Sequence, residues 1–314
     1  MQEMQDIGAQ YAMDRQADPT GFLGRARLHQ SRFRAEHLRV PCGRYGNYLL
    51  EADARKGLNF FDGFGIRDAV RERYPTYSRN VYSNLLRSEH IPLNLFIPLN
   101  SDDEFRRRLF STWLGFELRR VDEVRIEHAP MPRTDFLNDR TSFDAYVEYE
   151  DEAGLRGLLG IEVKYTERPY PLGKGSKEDH DLLDPGSAYH RVMAAAGIYS
   201  EGCIKRLLRD EYRQIWRNQL LGESIQQRFK DQYAYATLMV LYPEGNSHVA
   251  NACAGYSTFL VHPEHTFKAL TYEQFLLDLR KHATSTAFAP WANYLHDRYI
   301  VHPDPTNDRT LTSP

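Results

Sequence analysis

Residues 141–167 read TSFDAYVEYEDEAGLRGLLGIEVKYTE, two strand-like runs joined by a short turn around Glu152, Ala153 and Gly154. This hairpin constrains the fold more than any other stretch, because strand side chains alternate between faces and one register fixes what both strands present. In the first run Phe143, Ala145, Val147 and Tyr149 share an apolar face, and Asp144, Tyr146 and Glu148 lie on the opposite one. In the second, Leu159, Ile161, Val163 and Tyr165 share one face, and Leu158, Glu162 and Lys164 the other. Antiparallel pairing through the turn allows Asp144 and Glu162 to lie on one polar face with Lys164 beside Glu162, although alternation alone does not fix which residues are opposite.

A glutamate and a lysine spaced this way are ordinary surface neighbours on a solvent-facing strand. Here, however, the run opens as the apolar stretch LLGI, which predicts burial, and burying a carboxylate and an ammonium without a partner is costly. Two neighbouring carboxylates repel, and a divalent cation with oxygen ligands at roughly 2.1 Å relieves the repulsion. Such a cation polarises a phosphate oxygen and generates hydroxide from a bound water.

Around the hairpin the elements fall into a clear order. SDDEFRRRLFSTWLGF predicts a helix with Ser101 as N-cap and Glu104 completing a capping box. VDEVRIEHA predicts a strand, so that three consecutive strands form an antiparallel meander. GSAYHRVMAAAGIY and CIKRLLRDEYRQIWRNQLLGESIQQ predict helices, YAYATLMVLYP and YSTFLVHP strands, and TYEQFLLDLRKHA a late helix. Within the second of these helices Arg206, Arg209, Arg213 and Arg217 recur on one face, with Asp210 and Glu211 as partners for a solvated surface; Leu208, Tyr212, Ile215 and Trp216 form a buried face. Residues 1–100 are irregular and are expected as an N-terminal extension packed on a core formed by residues 101–314.

Asp144 followed at a hairpin's distance by Glu162-Val163-Lys164 resembles the signature of the PD-(D/E)xK nuclease superfamily. The pattern FDA, IEVKYTE and a following QxxRN helix, here Gln214, Arg217 and Asn218, is similar to bacterial restriction-endonuclease-like proteins. The resemblance covers roughly Glu89 to Tyr256 and departs from the motif at Phe143, where the superfamily commonly has proline. It implies an α/β restriction-endonuclease-like core of helix, three-strand meander, helix and strand, with C-terminal helices added, and a Mg²⁺- or Mn²⁺-dependent nuclease. The substrate would be nucleic acid, DNA foremost, in restriction or phage defence. By the same resemblance Asp144 and Glu162 bind metal, the Val163 carbonyl completes the shell, and Lys164 orients the attacking water. A further acidic ligand comes from Glu127, the preferred candidate, or Glu89. Glu167, Gln214, Arg217 and Asn218 line the site, with Arg213 and Arg217 as nucleic-acid contacts and Arg217 the foremost candidate for the scissile phosphate. Lys174 and Lys177, in the surface loop PLGKGSKEDHD, are further candidates for the nucleic-acid backbone. An inactive nucleic-acid-binding or scaffold protein of the same fold and an RNA nuclease stay open as alternatives, as do a homodimer and a partner subunit.

Composition narrows the surroundings. A formal net charge of −3 leaves polyanion binding to local basic patches, such as the arginines of RARLHQSRFRAEHLR, rather than to the field of the whole protein. The three cysteines are scattered without a CxxC, which points away from a disulfide framework or zinc site and towards a reducing cytoplasm. No apolar run is long enough to span a bilayer, so no membrane partner is expected. HExxH, a phosphate-loop spacing and a nucleophile elbow are all lacking.

Overall fold

A computed structural model describes residues 21–167 and 171–302. The hairpin forms as expected: β3 (Phe143–Asp151) and β4 (Arg156–Val163) pair antiparallel with Ala145 opposite Ile161, Val147 opposite Leu159 and Glu150 opposite Arg156. Gly154 turns the chain at φ 81°, a left-handed conformation that glycine adopts without steric cost. Of the strand expected over VDEVRIEHA, Arg125–His128 forms (β2), and after an interruption at its start a separate strand, β1 (Leu118–Val121), precedes it, both antiparallel to β3. Asn100 causes the interruption, because its side chain accepts from the Val124 N–H at 2.8 Å and donates to the Val124 carbonyl at 3.0 Å. Both backbone groups of Val124 are thereby withdrawn from the ladder. β5 (Tyr235–Tyr242) then adds parallel to β4, and β6 (Phe267–Thr271) parallel to β5, closing a mixed six-stranded sheet. The strand expected at YSTFLVHP is not formed. Its first residues end a helix and Leu260 makes only an isolated bridge to Tyr199, while the sheet takes FKALT instead.

Helices cover both faces, which explains the continuous apolar character of β4 and β5. The principal ones are α1 (Phe22–Arg32), α2 (Ile66–Arg73), α3 (Asp103–Leu114), α4 (Lys177–Leu183), α5 (Ala188–Ala196), α6 (Asp210–Arg228), α7 (Ser247–Ser257), α8 (Tyr272–His282) and α9 (Ala289–Tyr299). Ala145, Val147, Tyr149, Leu159, Ile161 and Val163 share one core with residues of α1, α3, α8 and α9. Tyr146, Leu158, Leu238 and Val240 share the other with α6 and α7. The polar face expected on β3 is therefore covered as well, with Tyr146 and Glu148 buried. Phe143 also departs from expectation, since it belongs to this second core rather than to the face of Ala145. Gly160 makes the room, because a Cβ there would lie 2.2 Å from the Phe143 ring.

Other local details shift for equally physical reasons. The cap of α3 is Asp102, which accepts from the Phe105 N–H at 2.8 Å, whereas Ser101 donates to the Pro98 carbonyl and Glu104 pairs with Arg107 and Arg108. PLGKGSKEDHD is only partly loop: Ser176 accepts from the Asp179 N–H and starts α4. The arginine-bearing helix breaks at Arg209, whose backbone is extended, so a short turn, Ile204–Leu207, precedes α6. Residues 49–97 build a smaller core of their own around Phe60, Ile66 and Val70. It is tied to the sheet core by buried Arg298, which donates to Asn59, and α1 adds a bond from Gln30 to the Tyr165 hydroxyl at 2.8 Å.

Candidate active site

Asp144 lies one residue before Ala145 near the start of β3, and Glu162 one residue after its partner Ile161 near the end of β4, so the two carboxylates meet at this end of the hairpin. Asp144 is held in place by the Val163 N–H, which donates to its Oδ2 at 2.6 Å. Glu162 is buried and points towards α6, where consecutive turns present Gln214 and Asn218. Gln214 Nε2 donates to Glu162 Oε1 and Asn218 Nδ2 to Oε2, both at 2.5 Å. Lys164 Nζ lies 2.6 Å from Glu162 Oε1 and donates to Gln214 Oε1 at 2.6 Å. The ammonium thus pairs with Glu162, and Asp144 feels its charge at longer range. Burial, and next the Glu162 charge, push the Asp144 carboxyl well above its ordinary range, with Lys164 and the Val163 N–H opposing the shift only in part. Burial works to lower the Lys164 amine, yet the Glu162 carboxylate outweighs it and the group is held above its ordinary value. Lys164 is therefore charged at neutral pH.

Whether these residues suit a cation can be judged from their lone pairs. A carboxylate offers about four acceptor sites. Glu162 Oε1 uses its capacity on Gln214 and Lys164, Oε2 accepts from Asn218, and Asp144 accepts from Val163 through Oδ2. Among the described residues no bond occupies Asp144 Oδ1, and Glu162 Oε2 has capacity left. Both residues line a polar cavity of about 230 Å³ with Arg140, Thr141, Ser142, Gln214, Arg217 and Asn218. Hard oxygen donors, residual negative charge and space for waters fit a small divalent cation that keeps part of its hydration shell.

The other expected site residues are placed as follows. Glu127 stands on β2 next to Asp144, between the pairs Ile126–Ala145 and His128–Phe143. Its carboxylate accepts from Tyr74 Oη at 2.8 Å and Arg73 at 3.0 Å, and its charge adds to the repulsion felt by Asp144. Glu89 pairs with Arg87. Among the described residues, no group of three or more His, Cys, Asp or Glu is spaced to hold a metal ion. Glu167 accepts from the backbone N–H groups of Ser88, Tyr165 and Thr166, which fastens the segment after β4 to the N-terminal region. Arg213, 1% exposed, pairs with Asp210 and Glu178. Arg217 pairs with Asp139 at 2.8 Å and Glu178 at 2.9 Å and donates to Thr141. Lys177 pairs with Asp181, and Lys174 is exposed in the turn before α4.

Sequence reasoning passed over the segment 139–142, which enters β3 and lines the cavity. Its signal was the polar run DRTS directly before the strand that carries Asp144. Asp139 accepts from the Thr141 N–H and hydroxyl and from Tyr189, besides pairing with Arg217. Burial opposes the charge on Asp139, but these bonds together hold its carboxyl below the usual range.

A family model described as the PD-(D/E)XK nuclease superfamily matches residues 16–301. The chain belongs to the PD-(D/E)XK nuclease superfamily. Members of the superfamily are generally nucleases and typically use divalent metals. The mixed sheet with helices on both faces agrees with its restriction-endonuclease-like fold, and the match runs through the helical N-terminal region as well as the sheet. No curated protein and no solved structure matches the chain. Among the described residues no helix is long and apolar enough to cross a membrane.

Proposed function

We propose that this PD-(D/E)XK protein is a Mg²⁺- or Mn²⁺-dependent nuclease that hydrolyses phosphodiester bonds of nucleic acid, DNA foremost, in the cytoplasm. The observation that carries the reading is the pair Asp144–Glu162, two carboxylates on adjoining strands that border an open polar cavity, with the Lys164 ammonium against Glu162. Asp144 and Glu162 would hold the cation, with Glu127 the nearest further carboxylate to lend charge. The bound cation supplies a Lewis acid for the phosphate and a water of lowered pKa. Gln214 and Asn218 orient Glu162 through one bond to each oxygen. Lys164, protonated, offers positive charge and a donor to the phosphate and the attacking water. Arg213 and Arg217 act through the segment and helix they pin, since their charges are already matched by Asp139, Glu178 and Asp210.

The test is plasmid nicking with Mg²⁺ by wild type and Lys164→Ala. Cleavage by the wild type, reduced in the variant by about 10²- to 10³-fold, supports the assignment. Equal cleavage by both removes it. Matched DNA and RNA substrates decide the polymer. Restriction or phage defence follows by family analogy and is checked by plaque counts on cells with and without the intact site.

A further inference from the structure

We infer that Arg140, with Arg133 behind it, forms the phosphate-gripping subsite beside the carboxylate pair, so that the nucleic-acid backbone approaches over the segment that leads into β3. The inference rests on the nuclease reading for its chemistry, but its evidence is separate. Of the cationic side chains at the site, Lys164 is bound to Glu162 and Gln214, and Arg217 to Asp139, Glu178 and Thr141. Arg140 is exposed, and among the described residues no hydrogen bond or ion pair holds its guanidinium. It borders two cavities at once. One holds Asp144 and Glu162, and the other, of about 500 Å³, is lined by Arg133, Asp139, Lys177, Glu178 and Arg217 among others. In that second cavity Asp139 and Glu178 are matched by Arg217, and Asp181 by Lys177. Four cations line it against three carboxylates, and the exposed guanidiniums of Arg133 and Arg140, in no ion pair among the described residues, carry the excess positive charge.

The mounting of Arg140 is stiff. Phe136 and Leu137 are buried in the second core on one side, and Phe143 on the other. Asn138 bends the chain at φ 55°, a conformation asparagine tolerates. Asp139 then fixes the next step through Thr141, Tyr189 and Arg217. A guanidinium takes a phosphate bidentately, and the backbone that carries this one is already fixed. The ligand class is therefore a phosphodiester backbone, read through its phosphates without regard to sequence.

The experiment measures binding of a fluorescein-labelled 20-base-pair DNA duplex by anisotropy in EDTA, over a range of NaCl, for wild type, Arg140→Ala, Arg140→Lys and Arg119→Ala as a surface control. Arg140→Ala is expected to weaken binding about tenfold and to reduce the salt slope by about one, with Arg140→Lys recovering part of the affinity. Affinity and slope in Arg140→Ala equal to wild type overturn the subsite, as does a wild type that binds no duplex. The same samples given Mg²⁺ report cleavage separately. A wild type that binds through Arg140 yet never cleaves defeats the nuclease reading and leaves the subsite standing.

Discussion

The two ends of the β3–β4 hairpin solve one electrostatic problem in opposite ways. At the end near the turn, Glu148 lies buried on β3, and Arg156 reaches it at 2.6 Å, Arg125 at 3.3 Å, with the Tyr146 hydroxyl donating as well. Two guanidiniums there serve one carboxylate. At the far end two carboxylates lie close to a single ammonium, and Lys164 pairs with Glu162 while Asp144 feels its charge only at longer range. The first arrangement is self-sufficient. The second leaves Asp144 without an ion pair among the described residues, and it opens onto the polar cavity.

Several changes would break or sharpen this contrast. The largest effect is on turnover: Asp144→Asn or Glu162→Gln should cut Mg²⁺-dependent nicking by about 10²- to 10³-fold, while Glu148→Gln leaves it within a few-fold. Next comes stability in metal-free buffer, where the two ends should respond with opposite sign. Glu148→Gln strips a carboxylate from two guanidiniums and should destabilise by about 1–2 kcal/mol, discounted from the buried-pair range because Arg125 and Arg156 are partly exposed. Asp144→Asn removes the repulsion and should raise the melting temperature by about 2–4 °C, read by calorimetry in EDTA.

The pH dependence of that gain has a definite sign. A carboxyl held above its ordinary value binds more protons in the native than in the unfolded state, so its share of stability is lost as pH rises from the ordinary carboxyl value through the raised one. The advantage of Asp144→Asn over wild type should therefore grow across that interval and level off above it. The smallest effect is expected at Arg119, exposed on β1 and paired with Glu150 of β3 at 3.2 Å, where Arg119→Ala should change stability by less than about 0.5 kcal/mol.

The hairpin was legible because its period of two and its turn are local, and so were the carboxylates it carries. Its two faces were less so. Burial on both sides erases the contrast between apolar and polar faces, and Phe143 crosses to the second core only because Gly160, on the neighbouring strand, leaves it room. Asn100 splits the first strand from 24 residues away, and no local pattern records that. The helix cap moved by one residue because Asp102 competes with Ser101 for the same role. YSTFL has strand propensity, but tertiary packing gives the sheet edge to FKALT. At the site, Glu162-Val163-Lys164 and the Gln214–Asn218 turn of helix were readable as spacing. What was hidden is how Arg217 is engaged, since its partner Asp139 lies 78 residues before it and Glu178 also precedes it on another helix.

If Asp144 and Glu162 share a divalent cation, metal must stabilise the fold through them, which thermal unfolding of wild type, Asp144→Asn and Glu148→Gln reads, first in EDTA and then across a Mg²⁺ titration. Saturating cation should raise the transition of wild type and Glu148→Gln, by an amount equivalent to about 2.7 kcal/mol at a hundredfold excess over the dissociation constant, and leave Asp144→Asn nearly unmoved. A wild-type transition indifferent to Mg²⁺ and Mn²⁺, or one that rises equally in Asp144→Asn, would contradict it.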